Sequence, residues 1–496
     1  MEAFDVVVVG AGISGIDAAY HLKTKCAGRS FVVLERRKSF GGTWDLFKYP
    51  GVRSDSDMYT FGYGFRPWGN SKQIAPGEDI LAYLRDTMEE HDLQKYVRYE
   101  HHIVRADWSS ALGKWDLQCE GGQRFQCSFL ICAAGYYQQD GGFEPEFPGA
   151  DAFRAAGGRI VHPQKWEADG PVEYEGKRVV VIGSGATAVT LVPAMAEKAA
   201  HVTMLQRSPT YILPIPAVDA QAQRLAKRLP ASLVHLAMRA KTVIVQGLHF
   251  RSLGKASPDT NKEQFIGYMR MFVSKEVMDD EEFKKHFTPS YYPWEQRVCL
   301  CPDGDFFRAI HRRAASIVTD TILEFDERGI KLASGGHVPA EVVVTATGLR
   351  YQENLPMATM VTTIDGAPYV ARDHMVYKGC MLNDVPNLGF IHGYFNASWT
   401  LKADITCAFL CDLINHMRMM GYSSCAPTWD SAKFPPGPQG GLKSGYILRT
   451  SHLMPNHGTE KPWAPLANFL NDSWDMRWKP LEDGTLAFKG GPRARL

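Results

Sequence analysis

The chain has 496 residues, 45% of them hydrophobic, and 55 Lys and Arg residues balance 54 Asp and Glu residues. This near-neutral balance excludes a general affinity for nucleic acid, and the apolar fraction excludes intrinsic disorder. At about 100–200 residues per domain, the length predicts two to four domains.

The chain begins with a βαβ pattern typical of a dinucleotide site. A β-branched run at residues 4–9 is followed by a helical pattern at 16–25 and by a second apolar strand at 31–34, which ends in Glu35. Between the first strand and the helix lie the three glycines of a GxGxxG turn, Gly10, Gly12 and Gly15. Such a turn lets the backbone approach a pyrophosphate at the helix N-terminus, and the acid accepts a ribose hydroxyl.

The same pattern recurs once, with a different ending. A strand at 178–182 leads into the turn and helix start formed by Gly183, Ser184, Gly185, Ala186 and Thr187. The next strand, 201–205, ends in Gln206, Arg207 and Ser208. Because no carboxylate lies there to repel a phosphate, and Arg207 can bind one through paired hydrogen bonds, this site is predicted to prefer NADPH over NADH.

Two such units predict an α/β protein with two Rossmann-like dinucleotide-binding domains, one for FAD and one for NADPH, and a helical insert. Further buried runs that end at glycine, 129–135 and 342–348, mark crossovers between the domains. The predicted segments are a FAD-binding part at 1–145, a linker at 146–170, an NADPH-binding part at 171–340 with its insert at about 212–290, and a second FAD-binding part with the C-terminal region at 341–496.

The residues also resemble a known family, the class B flavoprotein monooxygenases, and within it the type I Baeyer–Villiger monooxygenases and their ethionamide-activating subgroup. Besides the two turns, the resemblance rests on Gly41-Gly42-Thr43-Trp44 and on a linker similar to the fingerprint FxGxxxHxxxW. Gly158, His162 and Trp166 keep the fingerprint spacing, but Ala156 stands where phenylalanine is expected, with Phe153 three residues earlier. Similar segments extend over roughly residues 4 to 490.

The resemblance implies oxidation of a ketone to an ester or lactone with NADPH and O₂, through a flavin peroxide, and sulfoxidation as a possible companion reaction. It implies that Arg297 stabilises the developing negative charge and that Asp55 orients Arg297 and contacts the cofactor. Arginine suits this role because it stays protonated at any working pH. Many relatives have a lysine just before this arginine, whereas this chain has Gln296, so discrimination for NADPH is expected to rest on Arg207.

Three further positions of the linker and of the cofactor regions, and two of the substrate pocket, also carry expectations. His162 is expected to couple movement of the nicotinamide domain to flavin chemistry, and Thr43 and Trp44 to contact cofactor. Trp399 and Asn396 are expected in the substrate pocket. An isolated tryptophan is more often a core residue, so the two tryptophan assignments compete with simple packing.

Two other enzyme classes share this arrangement of two nucleotide-binding units, and a non-enzymatic flavin-binding sensor is a third alternative. An N- or S-oxygenating flavin monooxygenase has the same fold, but Arg297 and the tryptophan-ended linker argue against it. A pyridine-nucleotide disulfide reductase needs a redox cysteine pair soon after the first acid-ended strand, where this chain has Gly41-Gly42-Thr43-Trp44. Ketone or sulfide and O₂ are therefore the expected small-molecule partners.

The remaining features concern metals, membranes and location. No cysteine or histidine spacing indicates a metal site, and the ten scattered cysteines suggest reduced thiols in the cytoplasm. Residues 224–255 contain seven basic residues and no acid, which fits a solvated helical insert, a lid, or weak contact with a membrane surface. The C-terminal Ala494-Arg495-Leu496 is a variant of a peroxisomal address, relevant only in a eukaryote. The oligomeric state is left open.

Overall fold

The computed structural model describes residues 1–168, 170–253, 255–352, 354–437 and 443–491. The strands before the insert are β1 (Glu2–Val9), β2 (Phe31–Leu34), β3 (Val97–Arg98), β4 (Ile103–Ser109), β5 (Lys114–Cys119), β6 (Arg124–Cys132), β7 (Arg159–Val161), β8 (Arg178–Ile182), β9 (His201–Gln206) and β10 (Ile212–Ile215). Those after it are β11 (Cys299–Pro302), β12 (Ala315–Thr319), β13 (Ile322–Asp326), β14 (Gly329–Leu332), β15 (His337–Pro339), β16 (Val342–Thr345), β17 (Val361–Ile364), β18 (Ala367–Pro368), β19 (Val376–Tyr377), β20 (Met381–Leu382), β21 (Leu388–Phe390), β22 (Tyr422–Pro427) and β23 (Leu486–Gly490).

The α-helices alternate with these strands in the two nucleotide units and cluster elsewhere. They are α1 (Ile13–Lys25), α2 (Thr43–Leu46), α3 (Met58–Phe61), α4 (Gly77–Glu90), α5 (Ala150–Ala155), α6 (Ala186–Met195), α7 (Ala220–Ala226), α8 (Ala231–Leu253), α9 (Pro258–Arg270), α10 (Asp280–Phe287), α11 (Asp305–His311), α12 (Trp399–Met420), α13 (Gly445–Leu448) and α14 (Phe469–Trp478). Short 3₁₀ turns lie at Gln94–Tyr96, Pro163–Lys165, Ala371–Asp373 and Ser451–Leu453.

The first sheet has the strand order β18-β17-β4-β5-β6-β1-β2-β3, and β21 adds to β6 beside β5. Strand β1 runs parallel to both β2 and β6, so that Val6 lies opposite Phe31 on one side and Phe129 on the other. Val6, Val7 and Val8 are completely buried, as expected for a strand covered on both faces.

The second sheet is parallel throughout, in the order β12-β9-β8-β16-β7. In it, Val343 of β16 lies between Val180 of β8 and Ile160 of β7. Strand β16, which begins just after the predicted boundary at 340, therefore belongs to the second sheet. Its apolar sequence shows that the strand is buried but not which sheet accepts it.

The predicted helical insert contains α7 to α10. It is framed by β10 and β11, which pair in parallel with Ile212 opposite Cys299. No helix of the described chain is both long enough and apolar enough to cross a membrane. The C-terminal tripeptide considered as a peroxisomal address lies outside the described residues.

Candidate active site between the two glycine turns

The glycine turns of the two nucleotide units open onto one cavity of about 1000 Å³. Gly10 and Gly12 of the first turn and Gly183 and Gly185 of the second belong to its wall. Each turn follows a parallel strand and precedes a helix, α1 or α6, that begins without a side-chain cap. The uncapped N–H groups at these two helix starts can donate hydrogen bonds to the oxygens of a pyrophosphate.

Steric contacts explain two glycines of the first turn. Gly10 has φ +99°, and a β-carbon there would lie 2.9 Å from the Ala133 carbonyl oxygen. A β-carbon on Gly15 would lie 1.8 Å from the carbonyl oxygen of Gly10, so this glycine lets α1 approach β1. The predicted roles of these glycines in the backbone turn agree with this geometry.

Glu35 lies at the end of β2, buried but on the cavity wall. Its carboxylate accepts hydrogen bonds from the backbone N–H groups of Ala11, at 2.7 Å, and Arg37, at 2.9 Å. These contacts fix the acid beside the turn, and a carboxylate has further lone pairs for a ribose hydroxyl. Glu35, the glycine backbone and the start of α1 thus fit the adenosine half of FAD.

The second turn is built in the same way. Gly183 has φ +122°, and a β-carbon there would lie 2.3 Å from the Ala346 carbonyl oxygen. At Gly185, by contrast, a β-carbon would meet no protein atom within 4 Å. Ser184 donates its hydroxyl to the Ser208 carbonyl at 3.0 Å, joining the turn to the end of β9. Ala186 and Thr187 continue the cavity wall at the start of α6.

Gln206, the last residue of β9, and Arg207, which follows it, have different environments. The Arg207 side chain is exposed on the cavity wall, and no carboxylate among the described residues pairs with it. Gln206 is only 1% exposed, and its amide donates to the His286 carbonyl at 2.9 Å and to the Thr319 hydroxyl at 2.8 Å. The Gln206 side chain therefore does not face the cavity, and its contact with cofactor stays a prediction. Arg207 remains available to a 2′-phosphate.

Arg297 and Asp55 form an ion pair within the cavity wall. Both the Nε and the Nη2 of Arg297 donate to the Asp55 carboxylate at 3.3 Å, and its Nη1 donates to the Phe395 carbonyl at 2.8 Å. The Asp55 charge is the main cause that raises the pKa of Arg297 above its already high value. A permanent, oriented cation therefore lies on the surface shared by the two turns.

The tryptophans predicted near the flavin also lie on this wall. Trp399, at the start of α12, donates its indole N–H to the Ser14 hydroxyl at 2.8 Å, and its ring lies 5.4 Å from that of Tyr136. Trp44 lines the cavity as well, with an edge contact to Phe61. Beside it, Thr43 shares a 2.5 Å hydrogen bond with the Tyr137 hydroxyl.

Asn396 is not part of the cavity wall. Its side-chain amide donates to the Ala467 carbonyl at 3.0 Å, although the neighbouring Phe395 and Ala397 line the cavity. A contact of Asn396 with substrate stays a prediction.

The linker places His162 behind the cavity wall. His162 is buried, and its Nδ1 accepts a hydrogen bond from the Gln164 N–H at 3.1 Å. Its ring packs so closely on Gly142 that a β-carbon there would lie 2.0 Å from Cε1. Burial lowers the pKa of His162. This histidine does not contact the cavity directly, but it supports a segment whose Phe143 does.

Several wall residues were missed by sequence reasoning, namely Tyr136, His392, Tyr446 and Arg449. The Arg449 guanidinium lies 3.7 Å from the centre of the Phe143 ring. Burial strongly raises the pKa of Tyr136 and lowers that of His392 to about 3, so both are neutral near pH 7. They lie outside the glycine motifs, and no local sequence signal marks them.

One cluster outside the cavity combines metal-ligand side chains, although the sequence indicated no metal site. Asp17, His21 and Asp404 place ligand atoms within 4.8 Å of one another, and His21 Nε2 lies 2.9 Å from the Asp404 carboxylate. Arg477 lies 4.0 Å from the same carboxylate, and the charge of Arg239 acts on both acids. Positive charge from both guanidinium groups thus lies beside Asp404, whereas burial raises the pKa of Asp17 well above its usual value.

Comparisons with known proteins also indicate an enzyme that uses FAD and a pyridine nucleotide. Residues 4–274 match the family described as pyridine nucleotide-disulphide oxidoreductase. The chain is 43% identical over 491 residues to the probable FAD-binding monooxygenase AlmA of Acinetobacter baylyi, covering 98% of this chain and 96% of AlmA. It is 42% identical over 495 residues to the FAD-containing monooxygenase EthA of Mycobacterium tuberculosis, covering 99% of both chains.

A solved structure of oxidized steroid monooxygenase bound to NADP has the same fold. Its TM-score is 0.76 at 22% identity, covering 99% of this chain and 100% of that one. The expected pair of Rossmann-like units is thereby confirmed.

The disulfide reductase alternative is not supported by the cysteines. No cysteine lies between Cys26 and Cys119, where the redox pair would follow the first acid-ended strand. The ten cysteines of the chain are all buried and unpaired. Because the relatives span the full chain at more than 40% identity, the expected resemblance to flavoprotein monooxygenases is confirmed. The chain belongs to the FAD-containing monooxygenases, within the wider pyridine nucleotide-disulphide oxidoreductase family.

Proposed function

We propose that this flavin monooxygenase is a Baeyer–Villiger enzyme that uses NADPH. It would convert a ketone, O₂, NADPH and a proton into an ester or lactone, NADP⁺ and water, with sulfide oxidation as a companion activity. The observation that carries the proposal is the ion pair of Arg297 with Asp55 on the wall of the cavity that both glycine turns share.

The residues on that wall fit the two cofactors. FAD would lie along the first turn with its ribose at Glu35, and NADPH would lie along the second turn with its 2′-phosphate at Arg207. When bound, these groups supply hydride transfer and the activation of O₂. The protein would position them and exclude water from the reacting atoms.

Arg297 would supply the fixed positive charge that ketone oxidation requires. When a nucleophilic oxygen attacks a carbonyl carbon, negative charge grows on oxygen, and a preorganised cation in a partly dry site lowers that barrier. The raised pKa keeps Arg297 charged throughout. Asp55 would hold the guanidinium in place, which makes it a positioning residue.

The test is a product assay with Arg297→Ala, Arg297→Lys and Asp55→Asn on a panel of ketones and sulfides. Bound FAD, read from its visible absorbance, should persist in all three variants. Ester formation should be lost in Arg297→Ala, partly retained in Arg297→Lys, and reduced in Asp55→Asn. Arg105→Ala is a suitable control, because Arg105 pairs with Asp107 in an exposed contact on β4.

Full ester formation by Arg297→Ala would refute the proposed role. Sulfide oxidation without any ketone oxidation in the wild-type enzyme, unaffected by Arg297→Ala, would identify an N- or S-oxygenating monooxygenase instead.

A further inference from the structure

Helix α8, in the insert, packs on the molecule through one face of its N-terminal half. Val234, His235 and Met238 are buried on that face. Next to them, Arg239 turns inward and donates through Nη1 to three backbone carbonyls around the end of α3, those of Tyr59, Thr60 and Gly62, at 3.2, 3.3 and 2.8 Å. The orientation of α8 on the molecule is therefore fixed.

The opposite face of α8 is apolar and exposed to solvent. Leu233, Leu236, Ile244 and Leu248 are exposed by 50, 63, 54 and 60%. At 3.6 residues per turn these positions fall within one third of the helix circumference, and the small exposed side chains of Ala237 and Ala240 lie between them. We call these four large residues the α8 stripe. The helix that carries it is about 35 Å long at 1.5 Å per residue.

Positive charge borders the α8 stripe at both ends. Arg224, Lys227 and Arg228 precede α8, Arg251 and Lys255 lie at its C-terminal end, and all five are exposed. Residues 224–255 contain no Asp or Glu. Lys241 is already paired with Asp219 at 2.7 Å, whereas no acid among the described residues pairs with the five end residues.

We propose that the α8 stripe and its flanking cations bind an anionic lipid surface. An apolar helix face that lies at the level of the headgroups, with lysine and arginine beside it, matches such a surface in both polarity and charge. A second copy of the chain fits less well. Because both ends of the stripe are basic, either relative orientation of two copies would place like charges together.

The test is co-sedimentation of the FAD-loaded protein with vesicles. The protein should bind vesicles made of equal parts of phosphatidylcholine and phosphatidylglycerol. It should bind vesicles of phosphatidylcholine alone much more weakly, and binding to the mixed vesicles should fall as salt is raised. Removing two of the three charges at the N-terminal end with Arg224→Gln and Lys227→Gln should weaken binding about five-fold per removed charge. Leu236→Glu should also weaken it strongly.

Leu112→Glu is the matched control for Leu236→Glu. Leu112 is 64% exposed, almost the same as Leu236, but it lies in the turn between β4 and β5. FAD content and circular dichroism verify that each variant is folded. Equal binding to both vesicle types, no binding at all, or equal losses for Leu236→Glu and Leu112→Glu would each overturn the proposal.

Discussion

The ring of Phe153 lies directly on the backbone of Gly158. A β-carbon on Gly158 would come within 2.4 Å of the ring, and Phe153 itself is 1% exposed. Ala156, which occupies the phenylalanine position of the fingerprint, is exposed at the end of α5. An aromatic ring therefore covers this glycine even though the fingerprint phenylalanine is absent.

Removing the ring of Phe153 should change the free energy of unfolding far more than placing a phenylalanine at position 156, where the fingerprint has one. Phe153→Ala is expected to lower the free energy of unfolding by about 3–5 kcal/mol, since it leaves a cavity beside β13 and β7. Ala156→Phe should change it by less than about 1 kcal/mol, because the site is exposed. Urea unfolding of both variants would measure this, and a larger loss for Ala156→Phe would contradict it.

The two glycines of the second turn should respond differently to alanine. Gly183→Ala combines a positive φ with a backbone clash, so the melting temperature should fall clearly. Gly185→Ala meets no protein atom and should melt like the wild type. If NADP⁺ binds against this backbone, Gly185→Ala should still weaken its binding about ten-fold or more. Thermal melting and NADP⁺ titration separate the two effects, and unchanged NADP⁺ affinity in Gly185→Ala would count against the assigned site.

Preference for NADPH should depend on Arg207. Arg207→Ala is expected to lower kcat/KM for NADPH about 10- to 100-fold, because it removes a charge-assisted contact with the 2′-phosphate. The kcat/KM for NADH should stay nearly unchanged. Gln206→Ala should lower stability, because it removes a buried side chain and its two hydrogen bonds, without changing the NADPH-to-NADH ratio. Steady-state kinetics with each cofactor would measure these changes. Equal losses of kcat/KM for NADPH and NADH in Arg207→Ala would refute the assignment of Arg207 to the 2′-phosphate.

Stability at high pH should be limited by Asp17. Burial and the neighbouring Asp404 charge raise the pKa of Asp17 well above its usual value. The folded state thus holds this proton more tightly than the unfolded state, and the resulting stabilisation is lost as pH rises from the unfolded pKa through the folded one. Asp17→Asn should therefore gain melting temperature over the wild type between pH 5 and pH 8.

Asp404→Asn provides the contrast. Burial raises the pKa of Asp404, but the hydrogen bond to His21 and the nearby guanidinium groups outweigh burial and lower this pKa below its usual value. Its charged form therefore stabilises the folded state above its unfolded pKa, and Asp404→Asn should melt lower at both pH values. A gain for Asp17→Asn that shrinks with rising pH would show that Asp17 is not the responsible group.

The local parts of this site could be predicted from the sequence. Strand β1, the turn after it, α1 and Glu35 follow one another within a short segment, and the Glu35 carboxylate is held by N–H groups of Ala11 and Arg37 in that same segment. In the second unit, likewise, Ser184 of the turn bonds to Ser208 just beyond Arg207. In such units the hydrophobic periodicity, the glycine spacing and the side chain that ends the second strand all lie in contiguous residues, so the sequence shows them together.

Side-chain direction and long-range pairing could not be derived in this way. Gln206 and Arg207 are adjacent, yet the Gln206 amide is held by His286 and Thr319, whereas Arg207, just beyond the end of β9, is exposed on the cavity wall. The contact of Arg297 with Asp55 spans 242 positions, and only family resemblance pointed to it. The sheet that receives β16 is likewise set by packing with β7 and β8.

The order of strands in the first sheet has a consequence for biosynthesis. The outer edge of β4 pairs with β17, and the end of β6 pairs with β21, but both partners leave the ribosome only after the whole second sheet has been made. Until then these edges expose unpaired backbone groups that other nascent chains can bind. Completion of the first sheet therefore waits for the second, and the yield of folded protein depends on how well these edges are shielded during translation.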